Sequence, residues 1–131
     1  MSYYLSRTLA MPFATAVASV VAKLKDEGFG VLSDIDVQAT LKAKLGADVP
    51  AYRILGACNP GYAHEGLKLE DKLGVLLPCN VILRDAGGGQ VEVAAVDPVA
   101  SLGRVGNPKL LTLAAEVRTR LQRVLDGLAV T

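Results

Sequence analysis

The chain has 131 residues, 51% of them hydrophobic and 21% charged, with Lys and Arg numbering 14 against 13 Asp and Glu. That composition excludes a disordered segment, which is too polar to bury a core, and argues against a phosphate-binding surface, which needs a basic excess. The length suits one domain, residues 1–131, with enough burial for a core without disulfide or metal support. With no Trp, two Phe and four Tyr, that core must be aliphatic.

Ser2–Leu9 alternates weakly and reads as a strand. Pro12 suits a first helical turn, and Phe13, Val17, Val20, Val21 and Leu24 form one stripe at helical spacing before the stop at Gly28. The apolar stretch Leu9–Ala22 invites comparison with a signal peptide. Pro12 interrupts it, Arg7 is its only upstream basic residue, and its pattern runs on to Leu24, so an intact helix and a cytoplasmic location are expected. No run approaches the roughly 20 apolar residues that span a bilayer. Neither a membrane nor a nucleic acid is expected as a partner.

Phe29–Ile35 reads as a second strand, and Asp36 as the N-cap of a helix through Leu45, with Val37, Leu41 and Leu45 in one row and Gly46 as its stop. Ala51–Ala57 is a third strand. Asn59-Pro60 opens a short helix containing Tyr62, Ala63, His64 and Leu67. Leu73–Leu83, the most apolar stretch, reads as a buried strand broken at Pro78, which cannot donate to a ladder. Asp85–Gln90 forms a hairpin loop, Val91–Val96 returns, and Asp97-Pro98 closes the strand before an irregular segment to Gly106. Asn107-Pro108 then opens the longest helix, whose stripe comprises Leu110, Leu113, Ala114, Val117, Leu121, Val124, Leu125 and Leu128. The expected class is therefore α+β, a mainly antiparallel sheet of about five strands covered by helices in the order β-α-β-α-β-α-β-β-α.

The two cysteines carry most of the chemical information. Cys58 precedes Asn59-Pro60, and Cys79 stands in Leu77-Pro78-Cys79-Asn80; both lie where regular structure breaks. A thiol beside a helix N-terminus gains thiolate character, so Cys58 is the better nucleophile candidate and Cys79, in apolar surroundings, the more inert one. Three readings stand open. The pair packs as small buried hydrophobes, or performs thiol or redox chemistry, or joins His64 in a zinc set. No Cys-x-x-Cys or His-x-x-x-His spacing supports the metal set. His64 reads more simply as a solvent-exposed side chain than as a base for Cys58. Asp34 and Asp36 would form a carboxylate pair, but a cap at Asp36 with Asp34 in solvent is simpler; Asp97 shapes a turn. Gly87-Gly88-Gly89 lies in a hairpin and opens no helix, so it cannot cradle phosphate, and no nucleophile elbow occurs. No cofactor is expected.

Several segments together resemble the domain of unknown function 302 family (DUF 302). They are Gly28–Leu32, Ile35–Val37, Thr40–Lys42, Lys44–Gly46, Tyr52–Pro60, Leu76–Val81 and Val96–Pro98. The resemblance covers nearly the whole chain, and Cys58-Asn59-Pro60 and Pro78-Cys79-Asn80 are its most specific elements. It implies a small bacterial or archaeal α+β protein of the TATA-binding-protein-like fold class that pairs as a homodimer. It implies no activity, and fold likeness alone carries no DNA function. Positions matching the family pattern include Asp36, Tyr52, Cys58, Asn59, Cys79, Asn80 and Asp97. The expectation is a small-ligand-binding or thiol-bearing module in which Cys58, Asn59, Cys79 and Asn80 line a common cleft, with Asp36 and Tyr52 as further ligand-binding candidates. A purely structural homodimer is the alternative.

Overall fold

The computed structural model describes residues 2–128. Five strands, β1 (Tyr4–Ala10), β2 (Gly30–Asp36), β3 (Tyr52–Cys58), β4 (Cys79–Gly87) and β5 (Gln90–Val96), form one antiparallel sheet in the order β1-β5-β4-β3-β2. Five helices join them: α1 (Phe13–Asp26), α2 (Val37–Leu45), α3 (Pro60–Leu69), α4 (Pro98–Leu102) and α5 (Pro108–Asp126). The α+β class and the element order read from the sequence hold, with the five-residue α4 and a 3-10 turn at Gly103–Val105 in the segment expected to be irregular. Asp97 starts that helix rather than a simple turn: its carboxylate accepts from the Val99 amide at 3.0 Å and from Arg118 at 3.0 Å.

Period-two alternation decides which face is covered. Leu55, Ala57, Val81, Leu83, Val91, Val93 and Ala95 point to one face and are buried with Ala16, Val20 and Leu24 of α1 and Val117, Leu121, Val124 and Leu125 of α5. The sequence stripe on α5 is therefore its packed face. On α1 Val20 and Leu24 of the stripe are buried, with Phe13 and Val17 packed against the core; Ala16, outside the stripe, is buried too, while Val21 is 39% exposed. On α2 the expected row buries nothing, and Leu45 lies in solvent. Arg7 of β1 ties the end of α5 to the sheet by donating to the carbonyls of Leu125 (2.7 Å) and Asp126 (2.9 Å), a cation placed on the negative end of the helix dipole.

The stretch Leu73–Leu83 departs from expectation. Leu73–Leu76 forms a 3-10 turn, the Leu77-Pro78 peptide is cis, and β4 begins only at Cys79, running on through the presumed loop to Gly87. Gly56 of β3 accommodates this turn. A Cβ there would sit 2.8 Å from Pro78 Cγ and 2.3 Å from Ser33 Oγ, so only glycine fits. Leu73 joins Leu102, Leu110 and Ala114 in a second apolar cluster, apart from the main core.

Candidate functional site

A cavity of about 330 Å³ opens where the two clusters meet. Phe29, Ala57 and Val117 of the main core form one side, and Leu73, Leu77, Leu102, Leu113 and Ala114 the other. Cys58 and Asn59 enter from the end of β3, Cys79 from the start of β4, and Tyr62, Ala63 and Leu67 from α3. The register explains the convergence. Ala57 pairs with Cys79 and Gly30 with Cys58, so both sulfurs belong to the same end of two neighbouring strands. Both cysteines are free of disulfides and half-buried. Among the described residues, no charged side chain lines the cavity.

Burial pushes the Cys79 thiol up from 9.0 to about 11, and neighbouring Cys58 adds to the shift. Cys79 is therefore a neutral thiol at ordinary pH, in the direction its apolar surroundings suggested. Asn59 occupies the N-cap position of α3 but makes no side-chain cap bond. Its Nδ2 donates instead to the carbonyl oxygen of Glu27, at the end of α1, at 3.2 Å. Gly28 makes room for this: its φ of 87° suits glycine, and a Cβ there would lie 3.0 Å from Asn59 Nδ2. Tyr62 is held from outside. Arg120 Nε donates to its hydroxyl at 3.1 Å, while Arg120 Nη1 reaches the Glu27 carbonyl at 3.4 Å.

The structure separates the remaining candidates. Asn80 follows Cys79 on the strand and so points to the opposite sheet face; with Tyr52 it lines a shallower hollow of about 490 Å³ there, beside Tyr3, Tyr4, Ile82, Arg84 and Glu92. Asn80 thus leaves the four-residue cleft expected of the two Cys-Asn steps. Asp36 lines neither space; it caps α2, accepting from the Ala39 amide at 2.9 Å. Asp34 is paired with Arg53, whose Nε donates at 2.7 Å, and that bond holds the carboxyl below its ordinary value. His64 is exposed on α3 and does not line the cavity. Among the described residues, no three His, Cys, Asp or Glu side chains converge closely enough to hold a metal ion, so the zinc set of Cys58, Cys79 and His64 is not assembled. No described helix is long and apolar enough to cross a membrane.

Sequence reasoning missed Phe29, Tyr62, Leu73, Leu113 and Val117 as walls of this space. Leu113 and Val117 carried a signal only as members of the α5 stripe. The Tyr62–Arg120 contact joins residues 58 positions apart, a separation at which no spacing rule operates.

The fold has counterparts. A family model described as domain of unknown function DUF302 matches residues 5–128. A crystal structure of an uncharacterized conserved protein DUF302 from Bacillus stearothermophilus is similar at TM-score 0.89 and 28% identity, covering 96% of this chain and 98% of that one. No curated protein matches the chain.

Proposed function

The chain belongs to the DUF302 family, and on that footing we propose that it is a binding module for a small, uncharged, mainly apolar molecule held between Cys58 and Cys79. The observation that carries this reading is the composition of the cavity. Cys58 and Cys79 line about 330 Å³ walled otherwise by mainly aliphatic and aromatic side chains, with no charged side chain among the described residues. Ligand sites commonly have this size and this preponderance of apolar lining, with few polar groups to fix orientation. A charged ligand would shed its water there without a partner. The polar groups on offer are the thiols, the Asn59 amide and the Tyr62 hydroxyl, and the last two are already engaged by Glu27 and Arg120.

Titration with ethyl pentyl ketone, followed by methyl NMR, tests the reading. Shifts confined to Leu73, Leu113, Val117 and their cavity neighbours support it. Absent shifts, or shifts scattered over the surface, reject it.

A second reading, a homodimer formed through the uncovered sheet face, is favoured by one feature. Tyr3 and Tyr4 are 74% and 42% exposed beside the Asn80 hollow, an unusual display of large side chains on a sheet. Light scattering on the wild type and on Tyr4→Arg decides it: a dimer that the variant splits is expected, and a monomeric wild type ends the idea.

A further inference from the structure

The sheet face opposite α1 and α5 holds a second space, and the strand register sorts the side chains around it. Alternate residues of a strand share one face, so Tyr52, Arg84 and Glu92, opposite one another on β3, β4 and β5, form a single row. Ile82 and Ala94, an opposed pair two positions along, form an aliphatic floor. Asn80 and Val96 come two positions further on β4 and β5, and Tyr4 of β1 stands opposite Val96. These residues line the hollow of about 490 Å³. Polar groups therefore stand on two sides of an apolar floor, with Tyr52 and Tyr4 at opposite corners. Arg84 and Asn80, on one strand, set those two sides about 13 Å apart.

The polar groups of this hollow are balanced in charge and largely unspent. Arg84 Nε donates to Glu92 Oε1 at 2.7 Å, which cancels the two charges. Among the described residues, the other guanidinium nitrogens, Glu92 Oε2, the Asn80 amide and the Tyr4 and Tyr52 hydroxyls make no further bond within the chain. A phosphate would find no uncompensated cation there. A nucleobase would lack the aromatic plane on which bases stack, because the floor is aliphatic. We infer that the hollow binds a neutral β-linked disaccharide unit lying flat on the sheet. A pyranose ring turns C–H bonds to an apolar floor and carries its hydroxyls at its rim. Each hydroxyl both donates and accepts, which suits a guanidinium beside a carboxylate on one side and an amide on the other. The corner tyrosines offer an apolar ring with a polar tip to the same rim. Of the residues lining the Cys58–Cys79 cavity only Pro78 also lines this hollow, so either site can fail without the other. A second copy docked on this face would compete with the sugar for the same rows.

The experiment titrates the full chain with cellobiose and follows amide NMR signals, with light scattering on the same samples. Shifts that saturate at Asn80, Ile82, Arg84 and Ala94, with half-saturation at about 1 mM and none at Cys58 or Leu113, are expected. Tyr52→Ala and Glu92→Gln lie outside the packed core, and circular dichroism should show both folded. Each should bind about fivefold more weakly or worse. Wild-type affinity in both variants overturns the inference, as do shifts that rise linearly or fall elsewhere on the surface. Adenosine binding more tightly than cellobiose on this face also overturns it. A dimer that persists in the sugar, with no shifts on these strands, overturns it too and leaves the face to a second copy.

Discussion

Arg120 donates from Nε to the Tyr62 hydroxyl at 3.1 Å while its guanidinium carbon lies 5.5 Å from the centre of the same ring. One side chain on α5 thus fixes both the orientation and the polar tip of a ring that walls the cavity from α3. Glu27 completes the bracket, with its carboxylate 3.7 Å from Arg120 and 3.6 Å from Arg123.

Loosening that bracket should weaken binding without unfolding the chain. Tyr62→Phe keeps the ring and removes the hydroxyl, and Arg120→Met keeps the stem and removes the charge. Each should lower the affinity for ethyl pentyl ketone by about two- to tenfold, the worth of one hydrogen bond, with little change in midpoint temperature. Calorimetric titration of both variants checks this, and unchanged affinity in both would separate the bracket from the site.

Filling the cavity from behind should have the opposite balance of effects. A Cβ on Gly66 would lie 2.6 Å from Leu73 Cδ2 and 3.5 Å from Leu113 Cδ2, and both leucines line the space. Gly66→Ala gains roughly 0.5–1 kcal/mol of helix propensity and loses about 1–3 kcal/mol to overpacking. Because Leu73 can move into the void, the net stability change should stay near 1 kcal/mol of loss, while ketone binding falls below detection. Urea unfolding and the methyl NMR titration read the two quantities independently.

The Cys79 thiol makes a pH prediction. Its folded value, about 11, lies above the ordinary 9.0. The neutral form is thus the one the fold prefers, and the associated stability is present below pH 9 and lost as pH rises towards 11. By pH 11 the wild type should have lost about 2 kcal/mol more than Cys79→Ala, relative to each at pH 8. Urea midpoints at the two pH values provide the comparison, and parallel losses in both proteins would show that Cys79 is not the group responsible.

Local chemistry was the part of the fold most legible in the sequence. Asp36, Gly46 and Asn107 each act where their residue type and neighbours predicted, because a cap or a left-handed stop is decided within a few residues. Asn59 shows the limit: it has the same signature as Asn107, yet its amide goes to Glu27, a partner 32 positions away. Leu73–Leu83 shows another. An apolar run reports burial but no period, so the break at Pro78 could be read while the 3-10 turn before it could not. At the site, Cys58, Asn59 and Cys79 line one cavity, whereas Asn80 does not. That split follows from the strand beginning at Cys79, which throws its successor to the other face. Asp36, expected among the ligand-binding residues, caps a helix instead.

The most direct test of the shared cavity is residue-resolved alkylation of the native protein by iodoacetamide, with and without saturating ethyl pentyl ketone. Cys58 and Cys79 should both be slowed, each with the same half-saturating ketone concentration, since one molecule would cover both sulfurs. Protection of one thiol alone, or of neither, would contradict a common binding space.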